Sequence, residues 1–172
     1  RQQSPPKITG TEVLAIVLSS TLAPKETHNQ LLKDLLSELS SREITAGDNR
    51  LPRLMLIGSE MDNLDIIRLI EEPGAVVVAD DLCTGSRYFW NDTSTEENPL
   101  NALARRYLKI IPCPTKYPIQ PKYDHVLSMI DQFGVEGVII LLQKFCNPHE
   151  FEFPYLQSLL KEHQLPFVCI EV

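Results

Sequence analysis

Four short apolar runs, separated by segments of helical periodicity, constrain the fold of this chain more than any other feature. They are Arg53–Ile57, Ala75–Ala79, Gly137–Leu142 and Phe167–Glu171. The first closes on Gly58-Ser59, and the second, rich in small and β-branched residues, closes on Asp80-Asp81. A strand with one wet face alternates polar and apolar residues, whereas a continuous apolar run is covered on both faces. Strand–helix alternation makes each connection a crossover, so the expected sheet is parallel.

The helical segments are legible between these runs. Val13, Leu14, Ile16, Val17 and Leu18 form an apolar patch, and Leu31, Leu32, Leu35, Leu36 and Leu39 trace one helical stripe. A polar turn is expected at Gly47–Asn49. Later helices are expected over Asn63–Glu71 with Asp62 as a cap, behind Asn98-Pro99, over Tyr123–Phe133, and from Asn147 to about His163. The face of the helix behind Asn98-Pro99 is Leu100, Leu103, Ala104, Tyr107 and Leu108. Pro112, Pro114, Pro118 and Pro121 impose an irregular segment before the Tyr123 helix. The expected class is α/β: a three-layer, Rossmann-like (flavodoxin-like) domain with a parallel sheet of about four strands, preceded by helices. Residues 1–52 read as a helical lead-in packed on an α/β domain spanning 53–172. The polar start without Met, and a stop at Val172 inside an expected buried strand, suggest a piece of a longer polypeptide.

In parallel sheets, ligands bind beyond the carboxyl ends of the strands. That rim collects Gly58-Ser59, Asp80-Asp81-Leu82-Cys83, Lys144-Phe145-Cys146 and Glu171. Cys146 is the main candidate. It lies at a strand-to-helix turn where Asn147 suits an N-cap, Pro148 the first helical position and Glu150 a capping box. Free N–H groups and the positive helix end favour thiolate, the form that binds metals or attacks substrates. The plain alternative is a packed turn cysteine. After the second strand, Thr84, Gly85 and Ser86 offer donors, and Arg87 can grip a phosphate or carboxylate through paired hydrogen bonds. The plain alternative there is a polar turn with Arg87 paired to Asp80 or Asp81. His149 is kept as a candidate for its closeness to Cys146, Cys113 is set between two prolines, and Cys169 is expected in the core.

Several classes are excluded. A net charge of −7 without a Lys/Arg cluster argues against nucleic acid. The apolar runs are strand-sized, so no membrane span is expected. The four cysteines contain no CxxC pair, which does not fit a structural zinc site. With no signal-like start, a reducing, cytoplasmic compartment is expected. No glycine-rich phosphate loop and no G-x-S-x-G elbow occurs. Thiols on separate loops fit a redox or iron–sulfur site.

Three segments resemble one family. They are DDLCTGSRYF (Asp80 to Phe89), the Pro99–Tyr107 helix with Pro112-Cys113-Pro114, and GVIILLQKFCNPHEFEFP (Gly137 to Pro154). In order and spacing they resemble 2-hydroxyacyl-CoA dehydratase component D and benzoyl-CoA reductase, through most of Arg53 to Val172. The resemblance implies an α/β domain of an iron–sulfur subunit, with a 4Fe–4S or double-cubane cluster shared with a domain absent from this chain. It implies Cys146, in the KFC motif, as a cluster ligand; Cys83 and Cys113 are not assigned as ligands. The implied partners are a CoA-thioester substrate, a homologous second subunit and an ATP-dependent iron–sulfur activator that delivers one electron. The implied reaction is an iron–sulfur lyase converting (R)-2-hydroxyacyl-CoA to enoyl-CoA. The alternatives are a benzoyl-CoA or double-cubane reductase, or a non-catalytic α/β partner-binding homologue. On this reading Thr84, Ser86 and Arg87 contact the substrate thioester or CoA, and the isolated piece is inactive.

Overall fold

Strands β1 (Arg53–Gly58), β2 (Val76–Asp81), β3 (Gly137–Leu142) and β4 (Phe167–Glu171) form one sheet of order β2-β1-β3-β4. Every pairing is parallel. The structure is a computed structural model that describes residues 1–43 and 51–172. The turn expected at Gly47–Asn49 lies outside the described residues. The expected α/β class and parallel sheet are both observed.

The pleat sends alternate residues to two cores. On one face Met55, Ile57, Val78, Val138 and Ile140 pack against α6 (Gln120–Phe133) and α7 (Asn147–Glu162) through Val126, Met129, Leu156 and Leu160. On the other, Leu56, Val77, Ile139 and Leu141 meet Leu14 of α1 (Gly10–Leu22) and Ile67 of α3 (Leu64–Glu71). Because all strands run the same way, their carboxyl ends make a single rim.

The lead-in is tied to the sheet by polar groups as well as by packing. Thr9 caps α1 in a reciprocal capping box with Glu12. Glu71, the last residue of α3, accepts from Gly10 N (2.8 Å), Thr11 N (3.2 Å) and Thr11 Oγ1 (2.8 Å). It also accepts from Val77 N at 3.1 Å. One carboxylate thus joins α1, α3 and β2. Helix α2 (Lys25–Ser41) lies outside this layer, with His28 its buried residue.

Four local expectations change. Helix α3 is capped by Asn63, whose side chain accepts from Asp65 N, rather than by Asp62. Helix α5 (Pro99–Lys109) begins behind Asn98 as expected, but buries Ala102 and leaves Leu100, Leu103, Tyr107 and Leu108 exposed. Strand β4 is exposed rather than buried: like β2 it is an edge strand, but helices pack over β2, which is buried throughout, and leave β4 largely uncovered. Cys169 on that strand is therefore exposed, not in the core. The fourth change concerns the start of α7 and is described with the site.

Candidate functional site

The rim loops are stitched together before any functional group is considered. Cys83 N donates to Ser59 O at 3.0 Å, joining the loops after β2 and β1. Thr84 Oγ1 accepts from Met61 N and donates to Met61 O, both at 2.8 Å. Ser59 Oγ lies 3.3 Å from Gln143 Oε1, which brings in the loop after β3.

Cys146 stands where that third loop turns into α7. It is itself the N-cap, and its carbonyl accepts from His149 N (3.0 Å) and Glu150 N (3.1 Å). The helix therefore starts one residue earlier than expected. Asn147 is its first residue, and no side chain caps the end. The preceding Phe145 holds a left-handed backbone (φ 67°) and leaves its ring 92% exposed. A non-glycine residue in that region is uncommon and strained, which makes the turn a candidate for function. The KFC turn thus presents a half-buried free thiol at an uncapped helix start.

Beneath it lies a buried polar ring. Arg87 donates from Nε to Asp81 Oδ1 and from Nη2 to Asp81 Oδ2, both at 2.8 Å. Its Nη1 donates to Cys83 Sγ at 3.3 Å. Cys83 Sγ lies 3.9 Å from His149 Nε2, and His149 Nδ1 lies 3.4 Å from Glu152 Oε2. Lys122 Nζ reaches both Glu152 oxygens at 2.6 Å and stands 3.7 Å from Asp81, which closes the ring.

Charge in this ring balances locally. Burial alone would raise the Asp81 carboxyl; Arg87, through attraction and hydrogen bonding, and Lys122 hold it below the usual range. Burial would likewise raise Glu152, but the His149 hydrogen bond and Lys122 hold it low. The Cys83 thiol moves the other way: burial pushes it up, against the pull of Arg87, with Cys113, Asp81 and Cys146 adding to the rise. Next to this ring His125 stacks edge-on against Trp90 at 4.8 Å, and its buried Nε2 has no protein partner.

The structure thus brings together Cys83, His149, Arg87 and Asp81, with Cys146 on the same rim. The expected contact residues have inward partners. Thr84 is bonded to Met61, and Ser86 donates to Asp80 from N (2.6 Å) and Oγ (2.8 Å). Arg87 is committed to Asp81 and Cys83. These bonds build the turn into the short α4 (Ser86–Phe89), where a Cβ on Gly85 would collide with Asp80 Oδ1. Lys122 and Glu152 were missed in the sequence. Only the i, i+3 spacing of His149 and Glu152 pointed at either.

Beside the ring, the Pro114–Tyr117 loop, α6 and the first turns of α7 line an open cleft of about 540 Å³. Tyr117, Ile119, Tyr123, Pro148, Phe151 and Tyr155 form its walls. Among the described residues, no group of three or more His, Cys, Asp or Glu side chains is arranged to hold a metal ion. Nor is any helix among them long and apolar enough to cross a membrane.

Comparison with known proteins gives the family. The family model for 2-hydroxyglutaryl-CoA dehydratase, D-component, matches residues 1–172. The chain is 30% identical to a benzoyl-CoA reductase subunit of Thauera aromatica, over 99% of this chain and 45% of that protein. It is 26% identical to the (R)-phenyllactyl-CoA dehydratase beta subunit of Clostridium sporogenes, over 95% of this chain and 43% of that protein. It is also 26% identical to the beta subunit of (R)-2-hydroxyglutaryl-CoA dehydratase from Acidaminococcus fermentans, over 86% of this chain and 40% of that protein. The chain thus spans less than half the length of these relatives.

Proposed function

The chain belongs to the 2-hydroxyglutaryl-CoA dehydratase D-component family, and from that premise we propose that it is the α/β part of an iron–sulfur subunit acting on a CoA thioester. The favoured reaction is dehydration of an (R)-2-hydroxyacyl-CoA to the enoyl-CoA, in concert with a second subunit and an ATP-dependent activator, in the reducing cytoplasm. Two relatives named as dehydratase beta subunits support that reading. Reduction of a benzoyl-type thioester is the second reading, favoured by the 30% identity to a benzoyl-CoA reductase subunit.

The observation that carries the proposal is the KFC turn. Cys146 offers a soft sulfur donor that is neither in a disulfide nor spent on capping its helix, held by a strained turn on the ligand-binding rim. Those properties fit one protein ligand of a 4Fe–4S or double-cubane cluster, with the remaining ligands supplied from outside this chain. When bound, such a cluster supplies the low-potential electron chemistry that amino-acid side chains lack. The chain's own residues fix the site: the Phe145 turn and the start of α7 hold the backbone on either side of Cys146, and the Asp81–Arg87 pair anchors the neighbouring Cys83 turn. A contact from Thr84, Ser86 or Arg87 to the thioester requires them to exchange their present partners.

The test is iron and acid-labile sulfide per subunit, with absorbance and EPR, on the anaerobically purified full-length protein and its Cys146→Ser variant. Loss or alteration of the cluster in the variant is expected. A cluster unchanged by the substitution removes Cys146 from the site. A well-folded parent that stays free of iron after anaerobic reconstitution favours a non-catalytic homologue.

A further inference from the structure

We propose that the cleft between the Pro114–Tyr117 loop and α7 binds the acyl group of the CoA thioester, and that its shape and lining select a bulky aryl acyl group over a short aliphatic one. The inference rests on the CoA-thioester reading above and assigns the part of the ligand that reading leaves without a place.

Position is the first argument. Asn147 and Pro148, which directly follow Cys146, form part of the cleft wall. An acyl group seated there lies beside the KFC turn, which is where a thioester must be if Cys146 marks the reaction centre. Size is the second. About 540 Å³ is within the range of small-molecule sites and leaves ample room for a phenyl ring with its short linker.

Chemistry is the third. Pro148, Phe151, Glu152 and Tyr155 fall at i, i+3, i+4 and i+7, so α7 turns one continuous face into the cleft. Tyr117 and Tyr123 face it from the loop and from α6. Rings arranged around a slot favour a planar aromatic guest through offset and edge-to-face contacts. Lys116 is the cation on the wall, and its Nζ is already held by the Leu108 carbonyl. The lining therefore has no set of free cations for the coenzyme phosphates, so the acyl end is the part it suits. Burial, with Glu152 and Tyr155 nearby, pushes the Tyr123 phenol up to about 12, so it stays a neutral donor at neutral pH.

Phe151 and Tyr155 stand mostly clear of the core, 78% and 70% exposed. Removing their rings leaves the buried polar ring and the sheet intact, so folded variants are expected. The experiment is anaerobic isothermal titration of the full-length protein and its Phe151→Ser/Tyr155→Ser variant with 3-phenylpropanoyl-CoA, butanoyl-CoA and free CoA. None of the three carries the 2-hydroxyl group that dehydration requires. The wild type is expected to prefer the phenyl ester, and the variant to lose about tenfold of that affinity while free CoA is unchanged. Phenyl-ester binding that survives the double substitution overturns the cleft assignment and leaves the CoA-thioester reading standing. An equal loss for free CoA overturns it as well, since the rings then serve the coenzyme. A wild type that binds none of the esters overturns the thioester reading and this inference with it.

Discussion

Lys122 is an ammonium with no exposed surface, held between Glu152 and Asp81. Removing one partner from such a group leaves an uncompensated buried charge, which costs about 3–5 kcal/mol. Lys122→Met is therefore expected to lower stability by roughly that amount at pH 7. The pH dependence follows from the partners. Glu152 and Asp81 are held below their ordinary values in the folded chain. Their stabilisation is full above the unfolded carboxylate values, near pH 4, and is lost as the pH falls through the lower folded values. Without Lys122, only the His149 contact still opposes burial, so the folded Glu152 value rises and the variant's deficit eases as that carboxyl takes up a proton. The deficit against wild type should be largest near neutrality and narrow towards pH 4 in urea titrations. A constant deficit would show that Lys122 serves packing alone. This ring was only half legible in the sequence. The Asp81–Arg87 pair was readable from loop spacing, as the plain alternative for that turn. Lys122 and Glu152 come from two helices whose approach depends on the sheet order.

At the scale of elements, the attachment of α1 turns on Glu71. Its carboxylate meets three donors at the start of α1 and one on β2. A carboxylate there also faces the positive end of the α1 dipole. Glu71→Ala should cost about 2 kcal/mol, through unsatisfied N–H groups and the lost charge. Glu71→Gln, which keeps one acceptor oxygen for Gly10 N and Val77 N but turns an amide nitrogen towards Thr11 N, should cost about half as much. Amide hydrogen exchange then separates local from global loss: protection should fall first in Gly10–Leu22, with β1 and β3 unaffected. Uniform loss across the sheet would mean that α1 is part of the cooperative core. Periodicity revealed the helices themselves, and Thr9 with Glu12 carried an unread capping signal. The Glu71 bridge joins residues some 60 positions apart, so no local pattern announces it.

For the whole molecule, the sheet is covered unequally. Strands β1, β2 and β3 are covered on both faces, whereas β4 leaves Val168 and Ile170 open on the α1–α3 side and Cys169 open on the α6–α7 side. In sequence, GVIILL and FVCIE are both apolar runs bounded by turns, so the sequence does not show which one sits at the edge. Strand order decides it, through the pairing of β3 with both β1 and β4. The difference can be measured with one chemical change made at two places. Ile140 is 1% exposed and sits between neighbours on both sides, so Ile140→Ala should cost about 2–5 kcal/mol. Ile170 is 39% exposed on the edge strand and already meets water, so Ile170→Ala should cost about 1 kcal/mol or less. Urea midpoints of the two variants of this 172-residue chain, taken at low and at high protein concentration, give the comparison. A small Ile170 cost at both concentrations means that the β4 face is wet in solution. A cost that approaches that of Ile140 only at high concentration means that a second copy covers this face. A large cost at both means that the α1–α3 layer reaches further across the sheet than its packing here shows.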